Sequence, residues 1–185
     1  MEKNPKKRIL PSYEIKVISR GSELKKIGAK ALMGYINPFI ERREYLTLEK
    51  KVTLAEEREW LEGQAKLLDK KQLAKVYLFV EGKIAGSADI RKSALPSEAH
   101  NVSFGLTISR KWRRLGFGTL LMLRAIAEAK KRFSPKNMWL DRYGKNKIAA
   151  RLYKKIGFRE VARLKQYHSH YGKYEDKVFM EYRKR

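Results

Sequence analysis

The run Arg113-Arg114-Leu115-Gly116-Phe117-Gly118 spells Arg-x-x-Gly-x-Gly and leads into Thr119-Leu120-Leu121-Met122-Leu123. It lies between an alternating, strand-like segment, residues 102–108, and a segment of helical periodicity running from about residue 116 to residue 132. Glycines at such a junction let the main chain approach a ligand, because no Cβ intervenes. The first turn of the following helix offers unpaired N–H groups and the positive end of its dipole, which together suit a pyrophosphate. Arg110, Lys111, Arg113 and Arg114 add positive charge around that place. The chemistry expected is anion binding in a phosphate cradle.

Other reactive groups narrow the choice. With no cysteine in the chain, a thiolate nucleophile, a thiolate metal site and a disulfide framework are all excluded. His168-Ser169-His170 puts two imidazoles on one face if extended, but no clear third ligand accompanies them, so no metal is expected. Residues 167–174 read as a loop beside a substrate, where Tyr167, Tyr171 and Tyr174 either shape entry or face solvent. Trp60 belongs to an amphipathic helix as packing or lid, Trp112 anchors the glycine loop or stacks on a base, and Trp139 is assigned to the core.

The elements that must position these groups follow from periodicity and punctuation. Residues 13–19 alternate as a first strand, and a helix follows Ser22 with Leu24, Ile27 and Ala31 at helical spacing, ending before Asn37-Pro38. Thr53-Leu54-Ala55-Glu56 is a capping box opening a helix whose Leu54, Leu61, Ala65 and Leu68 share a face. Residues 76–80 and 83–91 form a hairpin around Glu81-Gly82, and another strand covers residues 101–108. After the glycine junction and its helix, closed by Ser134-Pro135, residues 138–141 read as a short buried strand. Asn146 caps a helix carrying Ala149, Leu152, Tyr153 and Ile156, closed by Gly157, and strands at 158–164 and 177–182 finish the chain. The order β-α-α-β-β-β-α-β-α-β-β describes one mixed α/β (α+β) domain over residues 12–185, preceded by a basic arm, residues 1–11.

Charge bounds the partners. The 185 residues carry 44 Lys and Arg against 20 Asp and Glu, a formal net charge of +24, which favours anionic ligands and repels polycations. No apolar run is long enough to span a bilayer and no signal core follows the basic start, so a cytoplasmic protein is expected, without a membrane partner. The lack of cysteine and the abundance of Lys and Arg would suit a thermophile.

Arg113-x-x-Gly116-x-Gly118 after a strand, followed downstream by Asn146-x-x-Ala149-x-x-x-Tyr153-x-x-x-Gly157-Phe158, resembles the GNAT superfamily of N-acetyltransferases. Leu152-Tyr153-Lys154-Lys155-Ile156-Gly157-Phe158 is similar to that family's C-terminal motif, and the element order agrees over roughly residues 13–182. The resemblance implies a single-domain fold with a mixed sheet of about seven strands, splayed between the fourth and fifth, and about four flanking helices. It implies acetyl-CoA as cosubstrate, wedged into the split. Leu106, Thr107 and Ile108 would meet the pantetheine through their backbone, and Arg113, Arg114, Leu115, Gly116, Phe117, Gly118 and Thr119 the pyrophosphate. Asn146 and Tyr153 would lie across the split, with Tyr153 as the general acid that protonates the departing thiolate.

A thiol of pKa about 8.5 next to a phenol of pKa about 10 makes that transfer reasonable; filling the helix–sheet core is the competing explanation of Tyr153. Asn146 is equally explained as a helix cap. Many family members place a Glu along the fourth strand, whereas His100-Asn101-Val102-Ser103-Phe104 has none. His100 is therefore the candidate base, with a water on Ser103, Asp89 and Asp141 as alternatives. The function implied is direct acetyl transfer to a primary amine, whether a protein N-terminus, a lysine or a small amine, by a monomer or homodimer. A basic binding module on ribosome or nucleic acid, with catalysis secondary or absent, is the alternative.

Overall fold

The computed structural model describes residues 10–183; most of the expected basic arm, residues 1–9, lies outside them. In chain order the elements are β1 (Tyr13–Ile18), α1 (Gly21–Ile27), α2 (Ala29–Glu41), α3 (Leu54–Asp69), β2 (Leu73–Val80), β3 (Lys83–Lys92), β4 (Asn101–Ile108), α4 (Phe117–Phe133), β5 (Asn137–Tyr143), α5 (Lys147–Ile156), β6 (Phe158–His170) and β7 (Lys173–Tyr182). The strands form one seven-stranded sheet in the order β1-β2-β3-β4-β5-β7-β6. Helices α1–α3 cover one face, packing Leu24, Leu32, Leu61 and Leu68 against Leu73 and Tyr77. The other face is buried under α4 and α5, where Leu121, Met122, Ala125, Tyr153 and Ile156 meet Val76, Ala88, Phe104 and Leu140.

Three expectations are corrected. The first helical segment is two helices, because Gly28 adopts φ 84° between α1 and α2, which makes five α-helices among the described residues where about four were expected. Helix α2 does not stop before Pro38 but runs to Glu41. Proline removes one i→i−4 bond there, yet Phe39 and Ile40, each 4 % exposed, continue the buried face, and Asn37 ties the turn to Val52 through two hydrogen bonds. Residues 167–174 are not a loop: β6 and β7 continue to a tight turn at Tyr171 (φ 50°) and Gly172 (φ 74°). Consecutive positive φ angles are the geometry of a two-residue hairpin whose twist matches the strands.

The sheet is antiparallel except between β4 and β5, which run parallel across the α4 crossover. Their ladder holds only from Asn101↔Asn137 to Phe104↔Leu140. Beyond it β4 stays with β3 as far as Ile108↔Gly86, and β5 stays with β7 as far as Tyr143↔Lys177. Each strand follows its other neighbour, and a V-shaped gap opens between them.

Candidate active site

Which backbone groups face this gap follows from strand alternation. Ser109 N–H bonds Ala85 C=O, so odd-numbered residues of β4 direct their backbone to β3. The even-numbered ones face β5. The N–H and C=O of Leu106 and the N–H of Ile108 therefore point into the gap with no rung of β5 opposite them. That is a strip of strand edge suited to an extended amide-bearing chain such as pantetheine.

At the mouth of the gap stands the start of α4. Gly116 is its N-cap in the left-handed region, φ 86° with no side-chain cap, and the first intrahelical bond is Leu120 N–H to Gly116 C=O. The N–H groups of Phe117, Gly118 and Thr119 are thus left at the helix start, beside the end of β4. Phe117 itself is buried, in edge contact with Tyr13, and Leu115 packs against the core. Gly118 has a packing reason of its own: a Cβ there would come within 2.7 Å of Leu152 Cδ1 on α5. Arg113 turns inward, its Nε donating to Ile108 C=O at 2.8 Å and its guanidinium paired with Glu44. It braces the loop, and its charge is already neutralised. Arg114 holds a left-handed φ of 62° and is exposed.

Tyr153 is 6 % exposed and packs near Phe158. Burial raises its phenol well above the ordinary tyrosine value, Asp141 raises it further and Arg142 opposes both. Phe158 in turn meets Phe104 edge-on, 6.2 Å between ring centroids, and Phe104 is the last β4 residue of the ladder, so the Tyr153 ring stands near the point where the two strands part. Asn146 caps α5, its Oδ1 accepting from Ala149 N–H at 3.1 Å. The other side of the sheet, the face that α1–α3 cover farther along, carries Trp139, Asp141, Phe179 and Lys177, since opposed residues in the β5–β7 ladder share a face. Trp139 is therefore not a core residue: half-buried against Phe179, it lines with Arg91, Ser93 and Ser103 a groove of ≈ 370 Å³.

His100 is not brought to this place. It is exposed, one residue before β4, at the closed end of the β4–β5 pair, where its C=O accepts from Lys136 and Asn137. Five residues separate it from Gly105, about 16 Å at ~3.3 Å per residue. Asp89 lies on β3 opposite Gly105, but both its oxygens are engaged, by Lys75 at 2.6 Å and Arg91 at 3.2 Å. Burial pushes its carboxyl up, and these two charges more than offset that, holding it below the usual range. Asp141 is exposed at the gap and 3.7 Å from Lys177.

Residues of α2 and of the connection after it bridge the gap on the α2 side. Tyr35 O–H bonds Thr107, with 2.8 Å to its Oγ1. Tyr143 O–H donates to Leu46 C=O at 2.9 Å, and Tyr171 O–H donates to Ile40 C=O at 3.0 Å. His170 meets Glu44 C=O at 3.2 Å, so the α2–α3 connection is fastened to both sides. His168 and His170 share a face, as their spacing predicts, and pack on Tyr143 at 4.4 and 5.1 Å. No cluster of three metal-ligating side chains forms among the described residues. A cavity of ≈ 910 Å³ beneath α1 and α2 lies away from this chemistry, although Tyr35 lines it.

A sheet splayed in this way, with a glycine-capped helix at its mouth, is the architecture of an acyl-CoA-dependent transferase. The model of the acetyltransferase (GNAT) family matches residues 39–158, and the chain belongs to that family: it is a GNAT N-acetyltransferase, and the family uses acetyl-CoA. The chain is 25% identical over 117 residues to an L-amino acid N-acetyltransferase of Escherichia coli, covering 63% of this chain and 72% of that protein. It is 33% identical over 75 residues to an N-alpha-acetyltransferase of Sulfurisphaera tokodaii, covering 40% and 44%. In fold it is similar to a protein of Salmonella typhimurium whose structure holds its cofactor acetyl-CoA, with TM-score 0.75, 18% identity and 92% of each chain covered. No helix among the described residues is long and apolar enough to cross a membrane.

Proposed function

We propose that acetyl-CoA lies in the β4–β5 gap, its pantetheine along Leu106–Ile108 and its pyrophosphate at residues 114–119, and that the acetyl group passes directly to a primary amine arriving on the α2 side. The observation that carries this reading is the end of the ladder at Phe104↔Leu140, with Tyr153 on one side of the sheet there and Asp141 on the other. The amine attacks the thioester carbonyl, and the thiolate leaves toward Tyr153. A phenol held protonated by burial donates to that thiolate. Asp141 accepts the proton of the incoming ammonium, the role for which His100 is the candidate from sequence. With no cysteine and the amine facing the thioester, no acyl-enzyme is required.

The acceptor is read as the amine of an amino acid or a protein N-terminus, the classes that the curated relatives' names state for those proteins; a lysine side chain fits the same chemistry. A panel of amines assayed with acetyl-CoA by thiol release tests this, alongside Tyr153→Phe. Turnover should fall by about a hundredfold with acetyl-CoA affinity little changed. Acetyl-CoA at about a hundred times its Kd should add ~2.7 kcal/mol of stability; no thermal shift at millimolar concentration would sink the proposal. The exposed cations Lys147, Arg151, Lys154 and Lys155 on α5, an element without an acid, favour a second role in polyanion association. Salt-dependent binding of RNA, steep in log–log form, tests it.

A further inference from the structure

Lys177 puts a primary amine of the protein itself where an acceptor amine is needed. Its backbone stands opposite Tyr143, two residues past Asp141 along the opened part of β5. Its side chain leans back over Phe179 and Tyr167, with Nζ 5.1 and 4.9 Å from their ring centroids, and reaches within 3.7 Å of Asp141 Oδ2. Asp141 is the first residue of β5 beyond the last rung with β4. Across the gap the corresponding residue of β4 is Gly105, which has no side chain to fill the space. The Lys177 side chain is only 18 % exposed, so the amine faces the gap's carboxylate more than bulk water. Aromatic faces and a carboxylate around an ammonium are the surroundings that an acceptor amine would itself require.

We propose that Lys177 is a self-acetylation site, modified by the acetyl-CoA bound in the same chain; this rests on the acetyltransferase reading. The Lys177 ammonium gives a proton to the Asp141 carboxylate. The freed lone pair attacks the thioester carbonyl carbon, so that a C–N bond forms and the C–S bond breaks. The thiolate leaves with a proton from Tyr153, the new amide nitrogen releases its second proton to water, and Asp141 and Tyr153 return to their starting protonation by exchange with water. The balance is one lysine ammonium and one acetyl-CoA giving N-acetyl-lysine, CoA and one proton, with no oxidant or further reactant. The modification removes the charge that occupies Asp141 and leaves that carboxylate open to an incoming ammonium.

The test follows acetyl occupancy by peptide mass spectrometry in protein incubated with acetyl-CoA alone. Lys131, exposed on α4, reports spontaneous acetylation in the same sample. Lys177 should be modified at least about tenfold faster than Lys131, and acetic anhydride, which reads exposure only, should reverse the order. Asp141→Asn and Tyr153→Phe should each slow Lys177 by about tenfold or more and leave Lys131 unmoved. The rate per molecule should not change with protein concentration. The proposal is overturned if Lys177 reacts no faster than Lys131, if neither substitution slows it, or if its rate rises with protein concentration. An acetyl-CoA thermal shift and thiol release with free amines are measured on the same samples. If both persist while Lys177 stays unmodified, self-acetylation fails and the acetyltransferase reading stands; if all are absent, both fall.

Discussion

Gly118 separates two explanations of a glycine in a phosphate loop, close approach of a ligand and close approach of a helix. A Cβ at this position would sit 2.7 Å from Leu152 Cδ1, against 3.8 and 3.9 Å from Ile108 and Leu106. The first distance is a clash and the others are ordinary contacts, so Gly118→Ala overpacks one side chain only. Overpacking a well-filled site costs about 1–3 kcal/mol, and alanine returns up to ~1 kcal/mol through helix propensity. The net loss is about 1–2 kcal/mol, a fall in Tm of roughly 2–8 °C for a chain of this size. Leu152→Ala alone should cost about 2 kcal/mol for a half-buried leucine. In the double variant the new methyl occupies space that Cδ1 has left, so it should be no less stable than Leu152→Ala alone, a coupling of about 1–2 kcal/mol. Urea denaturation of the four proteins, with and without acetyl-CoA, measures this. Additivity within about 0.5 kcal/mol would refute the packing argument. So would a Gly118→Ala variant that melts like the parent and no longer responds to acetyl-CoA, because the glycine would then serve the ligand alone.

Asp89→Asn should leave the Lys75 ammonium, 2 % exposed, without its counter-charge, at about 3–5 kcal/mol, seen as a Tm drop of ten degrees or so. Because the Asp89 carboxyl is held below its ordinary value in the folded state, its contribution is present above the unfolded value and lost as pH falls through the folded one; the variant should lack that part of the acid limb, which denaturation between pH 2 and 5 checks. A phenol raised by burial at Tyr153 stays protonated throughout the working range, so kcat should show no alkaline decline below pH 10; a decline there that vanishes in Tyr153→Phe would contradict the assignment. Gly116→Ala meets no atom within 4 Å but must hold φ 86°, so about 1–2 kcal/mol of backbone strain should appear as a lower Tm unrelieved by any neighbouring truncation.

Much of the fold was legible because it is written in neighbours. The capping box at Thr53 and Glu56 closes as its spacing predicts, β4 has the bounds its alternation marks, and Asn146 and Gly157 bound α5. Where tertiary contacts compete with local rules the tertiary contacts win: buried Phe39 and Ile40 carry α2 through a proline, and the β6–β7 pairing draws residues 167–170 into strand.

The sequence by itself determined the family, through the glycine junction and the Asn146–Phe158 motif, since a turn, a cap and a helical face each need only a few adjacent residues. It could not decide the geometry of the gap. The contacts that prop it join residues 72, 97 and 126 positions apart, Tyr35 with Thr107, Leu46 with Tyr143 and Glu44 with His170, and no periodicity encodes such pairs. Only the folded chain withdrew His100 from the site, turned Arg113 into a brace and set Asp141 and Lys177 beside the opening. Those roles depend on where β4 and β5 part, and that point is fixed by the different partners each strand keeps.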